Sequence, residues 1–310
     1  MRRQGAATSV PRMADGFGAR STADEVLRGR DLSGQNILIT GCNAGIGYET
    51  ARALAAHGAH VLVACRTLAK SRETIDRIRA AHSKAKLSPI ELDLSSFASI
   101  RQAVSSLEID ALHVLICNAG LFMSHYEATA DGIESTVGVC HYGHFLLTTL
   151  LIEKLRAAAP ARVIVVASES HRYPAQLDLA RFPLEPRNFK SLVAYGQAKL
   201  ANVLFANELT RRYRDHGIVA SSLHPGSMIG TSIFRGSLPA KLFALAVRPF
   251  TKSIEQGAAT TVYCATARDL TGGEYFKDCK PHPMSRGARD AEVARELWEH
   301  TARATATQKH

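Results

Sequence analysis

Tyr195 and Lys199 stand four residues apart, so on a helix their phenol and ammonium share one face. A free phenol, with a pKa of about 10, is a poor base at neutral pH, and a neighbouring cation stabilises its phenolate. Such a pair suits transfer of a proton to or from an oxygen while hydride moves at the adjoining carbon. The spacing alone is common on helices, and its meaning comes from what surrounds it. Thr40-Gly41-Cys42-Asn43-Ala44-Gly45-Ile46-Gly47 joins the apolar run 36–39 to the periodic stretch 48–57. Glycines at a strand-to-helix turn let the backbone approach a pyrophosphate, whose charge meets the free N–H groups and positive dipole end of the helix. A bound dinucleotide is expected there. At the end of the second apolar run, Ala64-Cys65-Arg66 carries no carboxylate to accept from a ribose 2′-hydroxyl. An arginine meets a 2′-phosphate through charge-assisted, bidentate bonds, so Arg66 points to NADP (NADPH); the plain alternative is an exposed surface arginine.

Other groupings invite chemistry and fit it poorly. Cys140, His141 and His144 are close enough on a helix to suggest a metal, but no fourth ligand is nearby, so helix packing is expected and no metal site. Ser168 with His171 or His224 hints at a hydrolase, yet no G-x-S-x-G elbow surrounds Ser168. His224, before Pro225-Gly226, is expected to shape a strand-to-loop turn.

Apolar runs at 36–39, 60–64, 87–92, 112–116, 162–167 and 218–223 alternate with helical patterns at roughly 46–57, 68–82, 96–107, 133–157 and 196–214. Strand-then-helix alternation demands crossovers, hence an α/β fold: a doubly wound, Rossmann-type parallel sheet in a single domain. Such sheets bind ligands at the carboxyl ends of their strands, where each motif above falls. Residues 1–33 read as a partly disordered tail, 34–300 as the domain and 301–310 as a second tail. The segment 171–193, rich in Pro and Arg, reads as a loop beside the site.

The order of these motifs resembles the short-chain dehydrogenase/reductase family over roughly residues 35 to 280. Besides the glycine turn and Tyr195-x-x-x-Lys199, the match includes Asp93-Leu94 after the third run and Cys117-Asn118-Ala119-Gly120 after the fourth. Ser168 follows the fifth run, and His224-Pro225-Gly226 closes the sixth. Within that family a closer resemblance, to the dehydrogenase domain of the WW-domain-containing oxidoreductases and to the retinol dehydrogenase group, rests on residues 22–31, 161–172 and 248–261. Trp298 is the only tryptophan, so the paired-tryptophan module of the former is not expected in this sequence.

The resemblance implies roles. Tyr195 is the acid/base, Lys199 also binds the nicotinamide ribose, and Ser168 hydrogen-bonds the substrate oxygen. Asp93 contacts adenine, although it could equally cap the following helix, and Leu94 beside it belongs to the cofactor site. Asn118, Ala119 and Gly120 line the cofactor, and Thr231, one residue later than the commonest spacing, reaches its carboxamide. The substrate is then an apolar alcohol or carbonyl of retinoid, steroid or lipid type. One departure matters: relatives carry Asn-His-x-Gly-His-Phe, the asparagine holding a relay water, where this chain has Cys140-His141-Tyr142-Gly143-His144-Phe145. A thiol holds water less well than an amide. This motivates the rival reading, a cofactor-binding pseudoenzyme that serves as a protein scaffold. A sugar-nucleotide epimerase is disfavoured by the glycine spacing.

Composition bounds the rest. The chain has 310 residues, 46% of them hydrophobic, enough for one large domain. Its net charge of +10 is spread over helical stretches without interleaved aromatics, so no nucleic-acid partner is expected. Cysteines 42, 65, 117, 140, 264 and 279 lack the close pairing of a disulfide framework, so a reducing, cytoplasmic setting is expected. No apolar run reaches 18 residues, and Leu238 to Phe250 reads as a substrate lid in preference to a bilayer patch. Homo-oligomerisation and peripheral membrane contact stay open at this level.

Overall fold

A computed structural model describes residues 16–226 and 252–306. One sheet contains β1 (Asn36–Thr40), β2 (His60–Cys65), β3 (Lys86–Glu91), β4 (Val114–Cys117), β5 (Ala161–Val166), β6 (Ile218–His224), β7 (Tyr275–Lys277) and β8 (Lys280–Pro281). Their spatial order is 3-2-1-4-5-6-7-8, parallel throughout except for the β7–β8 pair. Val114-Leu115-Ile116-Cys117 is buried at every position because helices cover both faces of a parallel sheet. Pro89 is tolerated because β3 is an edge strand. The order reverses between β1 and β4, which opens a crevice at the carboxyl ends of those strands.

Two apolar layers sandwich the sheet. On one side lie α1 (Ala23–Leu27), α2 (Gly45–Ala56), α3 (Leu68–Ala81) and α9 (Ile254–Thr266). On the other lie α4 (Phe97–Ser105), α6 (Gly143–Leu150), α7 (Ile152–Ala157), α8 (Ser191–Tyr213) and α10 (Ala291–Ala306). The short α5 (Ser135–Val137) leads into α6 through a π-helical turn, Gly138–Tyr142.

The structure corrects several expectations. Residues assigned to the 1–33 tail include α1, whose Ala23, Val26 and Leu27 are buried against α9, with Thr22 and Glu25 forming a capping box. Residues 301–306, expected within a C-terminal tail, belong to α10, with Thr301 and Thr305 buried. The helix expected over 133–157 is divided, and α8 starts at Ser191, inside the expected loop. Thr231 and the Leu238 to Phe250 segment lie outside the described residues. Among the described residues no helix is long and apolar enough to cross a membrane. All six cysteines are free and buried.

Candidate active site

The glycine turn between β1 and α2 is braced from behind. Thr40 Oγ1 accepts the backbone N–H groups of Asn118 and Ala119, each at 3.0 Å, and faces His144 Nε2 at 2.8 Å. With both lone pairs of Thr40 engaged, its hydrogen donates to Nε2, so the ring proton of His144 sits on Nδ1. That proton is donated to the Cys140 carbonyl at 3.1 Å. Burial favours the neutral ring and lowers the His144 pKa to about 4, against the Cys140 bond, which acts the other way. The Asn118 carboxamide donates to the carbonyls of Thr40 at 2.8 Å and Gly41 at 3.3 Å, tying β4 to the turn. Gly47 is needed at the start of α2, since a Cβ there would overlap the Gly41 carbonyl oxygen and Asn118 Nδ2. Gly45, with φ +59°, turns toward open space, the side from which a phosphate would approach.

Tyr195 is partly exposed on the first turns of α8, edge-on to Phe122 at 5.7 Å. Lys199 is buried, its Nζ 5.4 Å from the centre of the Tyr195 ring and 3.1 Å from the Val166 carbonyl, to which it donates. Asn202 donates to the same oxygen at 3.4 Å. Ser168, two residues beyond Val166, caps the 3-10 turn Glu169–Arg172 that packs on α8. Its Oγ accepts from the Ser170 N–H at 3.2 Å and donates to Ser170 Oγ at 3.3 Å. The carbonyl of Ser168 accepts from His171 Nδ1 at 2.7 Å, while His171 Nε2 accepts from the Ser285 N–H at 3.1 Å. Both ring nitrogens of His171 are thereby used in bracing the turn, which leaves it no role as a base for Ser168.

Cys140 and Lys199 border one spot. A Cβ placed on Gly120 would lie 3.4 Å from Cys140 Sγ and 3.4 Å from Lys199 Nζ. The thiol also points to the Leu121 carbonyl at 3.7 Å. Cys140, His141 and His144 have separate partners: His141 Nε2 pairs with Thr301 Oγ1 at 3.0 Å, whereas His144 Nε2 faces Thr40. Among the described residues no three His, Cys, Asp or Glu side chains cluster as metal ligands.

Arg66 is exposed at the carboxyl end of β2. Asp93 is partly buried; its Oδ1 accepts from the N–H of Ser95 at 2.9 Å and from Ser95 Oγ at 2.6 Å. The N-cap of α4 is Ser96, so Asp93 secures the loop ahead of the helix and not the helix itself. Leu94 is buried where Gly143 crosses it. Cys42 turns its thiol inward to the Ile39 carbonyl at 2.9 Å, and burial raises its pKa well above the ordinary thiol value. Sequence reasoning missed Thr40, His144 and Asn202 as braces; the i, i+4 spacing of Cys140 and His144 was the available signal.

Residues 35–180 match the family model described as short chain dehydrogenase. The chain is 48% identical over 300 residues to WW domain-containing oxidoreductase of Danio rerio, covering 93% of this chain and 72% of that one. The chain belongs to the short-chain dehydrogenase/reductase family. As a member it is an oxidoreductase that uses an NAD(P) cofactor at the alcohol–carbonyl level on a small molecule. It is also 42% identical over 273 residues to retinol dehydrogenase 12 of Mus musculus, covering 86% of this chain and 85% of that one. Among solved structures, an uncharacterized protein from Mycobacterium paratuberculosis superposes with a TM-score of 0.76 at 31% identity, covering 93% of this chain and 98% of that one.

Proposed function

We propose that this short-chain dehydrogenase/reductase uses NADP and interconverts an alcohol and its carbonyl on an apolar retinoid, steroid or lipid-like substrate, with Tyr195 as acid/base. The observation that carries the reading is the buried Lys199 ammonium, held 3.1 Å from the Val166 carbonyl and 5.4 Å from the Tyr195 ring. A fixed cation beside a partly exposed phenol offsets the negative charge that develops on its oxygen as the proton is transferred. The open side of Gly45 and the braced turn fit a dinucleotide pyrophosphate. When bound, the cofactor supplies or accepts the hydride. Tyr195 gives its proton to the substrate oxygen during reduction and takes it back during oxidation. Ser168 donates to that oxygen and steadies its charge as it develops. Gly41 through Gly47, Asp93, Leu94, Asn118, Ala119 and Gly120 hold the cofactor, and Arg66 favours the 2′-phosphate over a bare ribose. The apolar substrate class rests on kinship with the mouse protein named retinol dehydrogenase 12.

The test is steady-state turnover with NADPH and NADH over a panel of apolar carbonyls. Tyr195→Phe removes the hydroxyl and little else, so kcat should fall about 10²-fold or more while NADPH still binds. Lys199→Ala should weaken both turnover and binding. Near-normal kcat in Tyr195→Phe on a confirmed substrate would overturn the mechanism.

A further inference from the structure

Arg77 reaches the glycine turn from a neighbouring element. It lies on the exposed face of α3, opposite the buried Thr74, Ile75 and Ile78. Its Nη1 donates to the Asn43 carbonyl at 3.1 Å, and its guanidinium carbon sits 4.2 Å from the centre of the Tyr48 ring. Asn43 belongs to the turn itself and Tyr48 follows its last glycine, so one guanidinium ties the middle of the turn to the start of α2. Arg77 forms no ion pair among the described residues, its partners being a neutral carbonyl and a ring face. Stacking fixes the plane of the fork and the Asn43 bond fixes one edge. The other edge keeps donors in a geometry that suits two phosphate oxygens.

In a sheet of this topology the adenosine ribose of a dinucleotide sits between the first strand-to-helix turn and the end of the second strand. Arg66 approaches that place from β2, and Arg77 approaches it from α3. We infer that Arg77 is a second ligand of the 2′-phosphate, so that preference for NADP is shared by two arginines. This rests on the NADP reading above. A bracing role alone would act through the Asn43 carbonyl and serve every adenine nucleotide equally, whereas a phosphate role discriminates between them.

The experiment is calorimetric titration of 2′,5′-ADP and 5′-AMP into the intact chain, Arg77→Leu and Tyr48→Leu. The unmodified chain should prefer 2′,5′-ADP. Arg77→Leu should weaken 2′,5′-ADP about tenfold to a hundredfold more than it weakens 5′-AMP, the range for a charged hydrogen-bond pair. Tyr48→Leu, which frees the guanidinium to swing, should lose part of the same preference. If the unmodified chain bound both nucleotides equally, the NADP reading itself would fail and this inference with it. If the preference existed and survived in Arg77→Leu, Arg66 would be sufficient and the inference would be wrong. Equal weakening of both nucleotides would reduce Arg77 to a brace of the turn, and overturn it as well.

Discussion

Residue by residue, the site turns on groups whose hydrogen bonds are almost fully assigned. Thr40 fixes the tautomer of His144, and His144 fixes the Cys140 carbonyl, so the backbone at 140 is positioned without help from its side chain. The side chain is the departure: a weakly bonding thiol, pointed at the Leu121 carbonyl, stands beside the spot that Lys199 also borders. In the proposed mechanism Cys140→Asn restores an amide where a relay water would bind, and kcat should rise about tenfold or less, since only part of general acid–base catalysis is at stake. Cofactor affinity should not change. Turnover measured with NADPH decides it: an inactive chain that Cys140→Asn fails to revive, yet which binds cofactor and a protein partner, would favour the scaffold reading. High native activity without a gain would show that another group already holds the proton path.

Among the elements, the six long strands and their helices were legible because apolar runs of four or more residues alternate with helical patterns, and register follows from parallel pairing. The places of the glycine turn between β1 and α2, of Ser168 after β5, and of Tyr195 and Lys199 one turn apart on one helix were legible from motif spacing. What escaped has physical causes. β7 is only three residues long, too short to show a pattern. α10 buries Ala294, Leu297, Trp298, Thr301 and Thr305 at helical spacing, but two of these are threonines, which dilute the apolar stripe. α1 has a readable capping box in Thr22-x-x-Glu25, and its five residues hold only because they dock on α9. The π turn at Gly138–Tyr142 is buried at all five residues, and no local pattern separates it from an ordinary helical turn. Gly143, at its exit, lets this helix cross Leu94: a Cβ there would lie 2.5 Å from the Leu94 carbonyl oxygen. Helix propensity alone predicts that Gly143→Ala gains about 1 kcal/mol. Overpacking against a backbone that carries the cofactor loop should win, giving a net loss of about 1–3 kcal/mol in urea unfolding. An unchanged or higher midpoint would mean the loop yields freely.

Across the molecule, the second layer of the fold is knitted by imidazoles that must stay neutral. His141 is buried among Tyr142, Phe145, Phe182 and Phe205 and joins α6's entry turn to α10 through Thr301. Burial lowers its pKa to about 3, with His144 and His300 adding to the shift; burial likewise lowers His144 to about 4. An unfolded chain binds these protons near the ordinary histidine value of about 6.5, so between there and the folded values the unfolded state holds more protons and stability rises with pH. The contribution of each neutral ring is complete above that ordinary value and is lost as pH falls toward 4. At pH 5 each such ring should cost about 2 kcal/mol relative to pH 7, a large share of a typical domain's stability. Glu169 acts lower: its carboxylate, although disfavoured by partial burial, is held by Arg172 and Tyr275 with a pKa of about 2. Its contribution is therefore present above the usual carboxylate range and lost below it, so it adds little between pH 7 and pH 5, where Glu274, whose carboxyl pKa is raised by burial, acts in the sense opposite to the histidines. Urea unfolding at the two pH values should show the intact chain losing several kcal/mol. His141→Phe, which keeps the aromatic packing and removes one titrating ring, should lose about 2 kcal/mol less. The same loss in both chains would place the acid sensitivity elsewhere, and a flat profile in the intact chain would mean that these rings take up protons without leaving the fold.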